Sequence, residues 1–369
     1  MPFYYKHHGK EAPNQWVAFW RKVYNPIGFQ KGYNFPLWFI FCGAALGFCA
    51  SRVMYFDYDN QFKKANQLTG NWFYMSHGFI RIGTIMHLAA VIPTGFLVPL
   101  QFLPIVRYKA MLAHRIMGYL LIVLLVVGNV GAIIMVPRSM GGSLDIQTMV
   151  GMLAIMTTGA ALLAYINIKR LQIDQHRAWM MRCWSYAFAI ITLRLVQAPI
   201  MIIASLVGQA HVPMGCEIIN VVNEKNGPNL AAHFFPACED DPSAFVSVKV
   251  NYYATAGADR IKPLHEITAA IHCAFGPAAF LALAIHTICI ELYLHLTQAE
   301  AARLKRVSYE RQKAKGWKNP GDASWLTKET WGDMEAFDYE KRDTEERPKS
   351  DGGANSQKSQ QANETNIST

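Results

Sequence analysis

The sequence predicts an all-α, polytopic membrane helix bundle of about six transmembrane helices, with an outer or lumenal loop and a disordered cytosolic tail. Two observations carry this. The chain has 369 residues, of which 52% are hydrophobic and only 17% charged, and nearly all its long apolar runs fall within residues 36–296. Runs of about 18 or more apolar residues are span candidates, because a helix needs about 20 to cross roughly 30 Å of hydrocarbon. A soluble core does not need six of them.

The spans read as 36–54, 79–102, 116–136, 147–168, 180–207 and 268–295. An arm, 1–35, precedes them. Its start, MPFYYKHHGKEAPNQWV, has neither an apolar h-region nor a small-residue cleavage site, so no cleaved signal peptide is expected and the first span serves as the signal. Span one holds GAALG, Gly43 to Gly47, a small-xxx-small pair expected to let helices approach closely. Pro93 and Pro99 in span two and Pro277 in span six are expected to kink their helices.

Orientation follows from lysine and arginine, which favour cytosolic loops. The arm carries Lys6, Lys10, Arg21, Lys22 and Lys31. Arg107, Lys109 and Arg115 follow span two, and Lys169, Arg170, Arg177 and Arg182 follow span four. Arg303, Lys305, Arg306, Arg311, Lys313 and Lys315 lie beyond span six, whereas the connection after span three offers only Arg138. Both termini are therefore expected in the cytosol, with the chain integral to an endomembrane or the plasma membrane. Lys63 and Lys64 run against the pattern. The lipid bilayer accounts for the net charge of +9, and nucleic acid is not an expected partner. Residues 297–316 read as a basic juxtamembrane helix and 317–369 as a disordered polar tail. The sequons at Asn363 and Asn366 stay unused if that tail is cytosolic.

On this topology the connection 209–267 faces the outer or lumenal side. Cys216 and Cys238 are the only cysteines clearly outside the spans. An oxidising compartment makes a disulfide between them the expectation, against two unpaired thiols in a loop. The other five read as small hydrophobes.

Ionisable groups within a bilayer are costly and face a partner or a water-filled cavity. His114 and His176 open spans three and five, each followed by Arg. They either snorkel to headgroups or line a site at the cytosolic level. Arg194 reads as near mid-membrane. It keeps its proton, so it needs an anion, a cage of carbonyls or hydroxyls, or a ligand. Glu291 is the one acidic residue inside a span, at a different depth. His87 and His272 read at one outer level and His286 nearer the inner third. Two axial imidazoles per iron would make a transmembrane haem b path of His87, His272, His114, His176 and His286. The bland alternative is that each ring bonds a neighbouring helix. HExxH, Walker, GxSxG and CxxCH patterns are absent, as is an acidic prenyl-transfer box. No internal repeat signals an inverted-repeat transporter.

From His87 to Pro199 several phrases recur as a set: His87 with PLQFLP soon after, AHRIMGYL, the Gly-Gly of PRSMGGS, and HRAWMMR followed by TLRL. On these the chain resembles the predicted integral membrane protein family called domain of unknown function 2306. Outside that stretch it is similar to fungal members. The resemblance implies a family core over 79–207 and carries over His87, His114 and His176, leaving His272 and His286 outside. It implies no reaction, so whether the chain is an enzyme stays open. Three functional readings follow. The first is a His/Arg-lined intramembrane site of His87, His114, His176 and Arg194 that binds or processes a lipophilic small molecule, in a fungal biosynthetic pathway. There Arg194 stabilises negative charge and His87 moves a proton, which makes these two the catalytic candidates. The second is a b-type haem electron carrier. The third is a non-catalytic scaffold or transporter subunit.

Overall fold

In lipid every backbone N–H and C=O must be satisfied within the protein, which a helix does inside its own turns. A computed structural model describes residues 12–257, 260–318 and 320–321. Lys6, Lys10 and nearly all of the polar tail with its two sequons lie outside the described residues. Among the described residues six helices are long and apolar enough to cross a membrane. An amphipathic helix α1 (Gln15–Tyr24) precedes them. The six are α2 (Asn34–Ala50), α3 (Gly78–Phe102), α4 (Met111–Met135), α5 (Leu144–Lys169), α6 (Ile173–Val207) and α7 (Leu264–Leu296). Helix α8 (Gln298–Ala314) follows.

Several of these begin well before the apolar windows. Helix α4 starts at Met111 and α6 at Ile173, because hydropathy windows stop at Arg115, Arg177 and Arg182 whereas the helical hydrogen bonding does not. Pro93, Pro99, Pro199 and Pro277 all lie inside continuous helices. The chain divides into two compact units, 1–162 with 179–293, and 163–178 with 294–369.

In the first unit, α2 turns Cys42, Ala45 and Cys49 inward. A Cβ added to Gly95 of α3 would lie 3.0 Å from Cys49 Cβ. Gly43 and Gly47 instead have nothing within 4 Å, which corrects the packing expected of GAALG. Spacing marks a helix face; it does not say which face has a neighbour. The close approach occurs between α3 and α4, where a Cβ on Gly131 would sit 2.6 Å from Gly83 O and 2.7 Å from His87 N. At the end where α2 begins, Tyr293 Oη donates to Asn34 Oδ1 at 2.9 Å and Ile105 N–H to Ile27 O at 3.2 Å.

At the other end the connections build a cap. Between α2 and α3, Tyr58 stacks on Phe62 with centroids 4.6 Å apart and donates to Met75 O at 2.7 Å. The described residues of the connection 208–263 are folded. Strand β1 (His211–Gly215) pairs antiparallel with β2 (Phe245–Lys249), Val212 opposite Val248. Cys216 and Cys238 are joined by a disulfide with Cα atoms 5.6 Å apart. Met214, Ile219, Val222, Val248 and Val250 bury a small core with Ala269 and Ala270 of α7. This ribbon is the only sheet among the described residues, so the fold is all-α.

In the second unit, Ser308 Oγ of α8 accepts from Ile173 N–H at 2.9 Å and donates to Asp174 at 3.0 Å. One of the orphan donors at the start of α6 is thereby satisfied.

Replacing Gly131 by leucine forces a side chain into the backbone of α3. Overpacking of this kind costs about 1–3 kcal/mol, so the thermal midpoint of the detergent-purified protein should fall. The same change at Gly43, which faces open space, should leave it unmoved.

Candidate functional site

The chemistry-bearing residues gather where the cap meets the first turns of α7. His272 Nε2 donates to Thr69 O at 2.8 Å. A carbonyl can only accept, so Nε2 carries the proton and Nδ1 is left as an acceptor. Nδ1 faces Gly141, where an added Cβ would come within 2.9 Å of it. Met140, Gly141 and Gly142 all have positive φ, at 50°, 86° and 63°. The Gly-Gly pair of PRSMGGS is thus required twice, for backbone handedness and for the imidazole beside it. Asn71 fixes the turn by accepting Met140 N–H at 2.8 Å, and Gln147 Nε2 donates to Gly142 O at 2.7 Å. Arg138 lies over the Tyr74 ring at 5.0 Å. His272, Arg138, Tyr74 and Asn71 border a cavity of ≈ 40 Å³ against Met214 and Phe245 of the cap, room for a few water molecules.

One turn further along α7 lies the arginine. Gln197 Nε2 donates to Ile271 O at 3.0 Å, which turns its Oε1 toward Arg194 Nη1 at 3.2 Å. The Arg194 guanidinium also lies over Phe275, 5.4 Å from the ring centroid. Among the described residues it has no carboxylate partner. Arg52, just past the end of α2, is close enough to act on it electrostatically, as is Tyr55. Arg194 is exposed on the surface of the bundle. Its guanidinium stands on the side of the bundle where α2 ends. Helix α6, with 35 residues, is about 52 Å long at 1.5 Å per residue, far more than roughly 30 Å of hydrocarbon, so its ends do not mark the depth of Arg194. On the adjoining face of α7 the Asp145 carboxylate fills the space beside Gly276, its Cγ 2.7 Å from where a Cβ would stand. Pro277 leaves Cys273 O without its helical donor.

The other histidines are engaged separately. His87 Nδ1 donates to Gly128 O of α4 at 2.8 Å. His286 lies between two hydroxyls of α6, with Nε2 2.8 Å from Thr192 Oγ1 and Nδ1 3.5 Å from Ser185 Oγ. His176 Nδ1 lies 2.9 Å from Ala164 O within the second unit. His114 sits in the first turn of α4, and its carbonyl accepts from Gln101 at 3.1 Å. Two of the five rings proposed as haem ligands, His272 and His286, thus hold Nε2 against chain oxygens. Among the described residues no cluster of three or more His, Cys, Asp or Glu is placed to hold a metal. An ion pair that sequence reasoning missed lies near the other end of the bundle. Arg182 forks onto Glu291 at 2.6 and 2.8 Å and lies over Trp179 at 4.7 Å. Its partners are 109 residues apart, and no local pattern announces such a pair.

Residues 84–222 match the model of a family described as predicted membrane protein (DUF2306). The match covers less than half of the chain. It takes in His87, His114, His176, Arg194 and the PRSMGGS turn, and leaves out α2, α7 and Cys238. Searches of curated proteins and of solved structures returned no match.

Gly141→Ala places a methyl group against His272 in a backbone conformation that alanine adopts at a cost of about 1–2 kcal/mol. Thermal unfolding should show a lowered midpoint for this variant. Gly151→Ala, in α5 with nothing within 4 Å, should hold or raise it.

Proposed function

We propose that this integral membrane protein is a binding protein for a lipophilic molecule with an acidic end, held at the cap-side rim of the bundle. One observation carries the reading. Among the described residues the Arg194 guanidinium, on a membrane-crossing helix, has only a neutral amide and an aromatic ring as direct partners, with a second cation, Arg52, nearby. Two guanidiniums without a carboxylate repel each other and favour a shared anion. The ligand's apolar body would lie along the lipid-facing side of α6, where Leu195 is 76% exposed. In this reading His87 serves packing: its ring bond and Gly131 together hold α3 against α4. The disulfide supports a cap on the oxidising side, and the basic connections at the opposite end support cytosolic termini.

A charge-assisted hydrogen bond contributes about 1.5–3 kcal/mol, which corresponds to roughly tenfold or more in affinity. Arg194→Gln should therefore lose at least about tenfold of the lipophilic anions that copurify with wild type, as read by mass spectrometry of the extracted protein. Arg194→Lys should keep part of them, and both variants should reach wild-type abundance in the membrane. Equal anion content in Arg194→Gln would overturn the reading.

A second reading rests on His87. Its bond through Nδ1 to Gly128 O is the arrangement by which metal-binding histidines orient the opposite nitrogen. A b-type haem there would give the purified protein a reduced-minus-oxidised absorbance band that disappears in His87→Ala. A colourless, folded preparation excludes it.

A further inference from the structure

The short helix before the first span has an apolar stripe that the bundle does not use. With Trp16 set at zero and about 100° per residue, Trp16, Phe19 and Val23 fall between about 300° and 0°, and Trp20 and Tyr24 between about 40° and 80°. Gln15, Ala18, Arg21 and Lys22 occupy the arc from about 140° to 260°. The second group docks on the protein: Trp20 meets Phe35 of α2 with centroids 6.3 Å apart, and Tyr24 stacks on the same ring at 6.2 Å. The first group stays open. Trp16 is 68% exposed, Phe19 56% and Val23 40%.

The helix is held in this attitude. Asn14 caps its start by accepting Val17 N–H at 2.9 Å. Beyond its end, Gly28, at φ 94°, packs against Ile105, and Ile27 O accepts from Ile105 N–H. With ten residues the helix is about 15 Å long and too short to span a bilayer. Its open stripe continues onto the lipid-facing surface of α2, where Leu37, Phe39, Ile40 and Phe41 are exposed.

We propose that α1 is an interfacial anchor that lies along the bilayer surface beside the start of α2. Trp16, Phe19 and Val23 enter the boundary between headgroups and acyl chains, where tryptophan is favoured. Lys22, about 90° round from the centre of that stripe, meets the phosphates of anionic lipid, and Arg21, on the far arc, adds to the positive potential at the surface. The inference is independent of the ligand reading, since it involves none of the rim residues.

Hydroxyl-radical footprinting of the full chain in single-copy nanodiscs tests it. Trp317, 36% exposed beyond α8, is the reference. In discs of phosphatidylcholine with phosphatidylserine, Trp16 and Phe19 should be oxidised several-fold less than Trp317 despite their greater geometric exposure. Arg21→Glu with Lys22→Glu should restore their oxidation and abolish the dependence on phosphatidylserine. Oxidation of Trp16 at the Trp317 rate both in these discs and in discs of phosphatidylcholine alone would overturn the proposal. So would protection that appears only with two copies per disc, which is a contact between chains, or protection unaffected by the charge reversal.

Discussion

The architecture depends on the hydrogen bond from His272 to Thr69, because it joins a late helix to an early connection 203 residues away in sequence. His272 is buried, and a buried polar group left without a partner costs about 1–3 kcal/mol. Thr268 Oγ1 adds a second bond of the same kind, to Leu68 O at 2.5 Å. Together they seat the first turns of α7 under the cap. Everything that touches those turns inherits the position: the PRSMGGS turn beside the imidazole, Gln197 on Ile271 O, and through Gln197 the guanidinium of Arg194. The cap is covalently closed on itself by Cys216 and Cys238, so its strands and the base of α7 form one packed region.

What could be read from the letters follows the range of the forces involved. Six helices were legible because an apolar run must be long enough to cross hydrocarbon, and length is a local property. Their ends were less so. Arg115 and Arg177 look like loop residues to a hydropathy window, yet helices tolerate them because long basic side chains bend away from the apolar core. Of the cap's interior only the Cys216–Cys238 bridge was legible, from compartment logic. Its strands are five residues each, and their pairing joins residues some thirty positions apart.

The polar sites divide in the same way. That Arg194 needs a partner follows from its chemistry alone, but its depth does not. The helix around it is about 52 Å long, so counting from the ends of the run does not fix a level. Gly43 and Gly47 show the converse error, a spacing with packing potential on a face that has no neighbour. The glycines that do bring backbones together, Gly83 and Gly131, lie on two different helices. Their meeting is a tertiary fact, visible only once α3 and α4 are side by side.

The unequal lengths of the helices have a consequence for the membrane itself. Helix α2 has 17 residues, about 26 Å of apolar wall at 1.5 Å per residue, and Ser51 and Arg52 follow at once. Helix α3 has 25, about 38 Å. Lipids on one flank therefore meet a shorter hydrophobic face than lipids around the α3 side. Each ångström of mismatch costs a fraction of a kcal/mol, and along α2 the exposed Val53, Met54 and Phe56 resume the apolar face beyond Arg52. The flank of α2 thus offers lipid an apolar wall interrupted once, at Ser51 and Arg52.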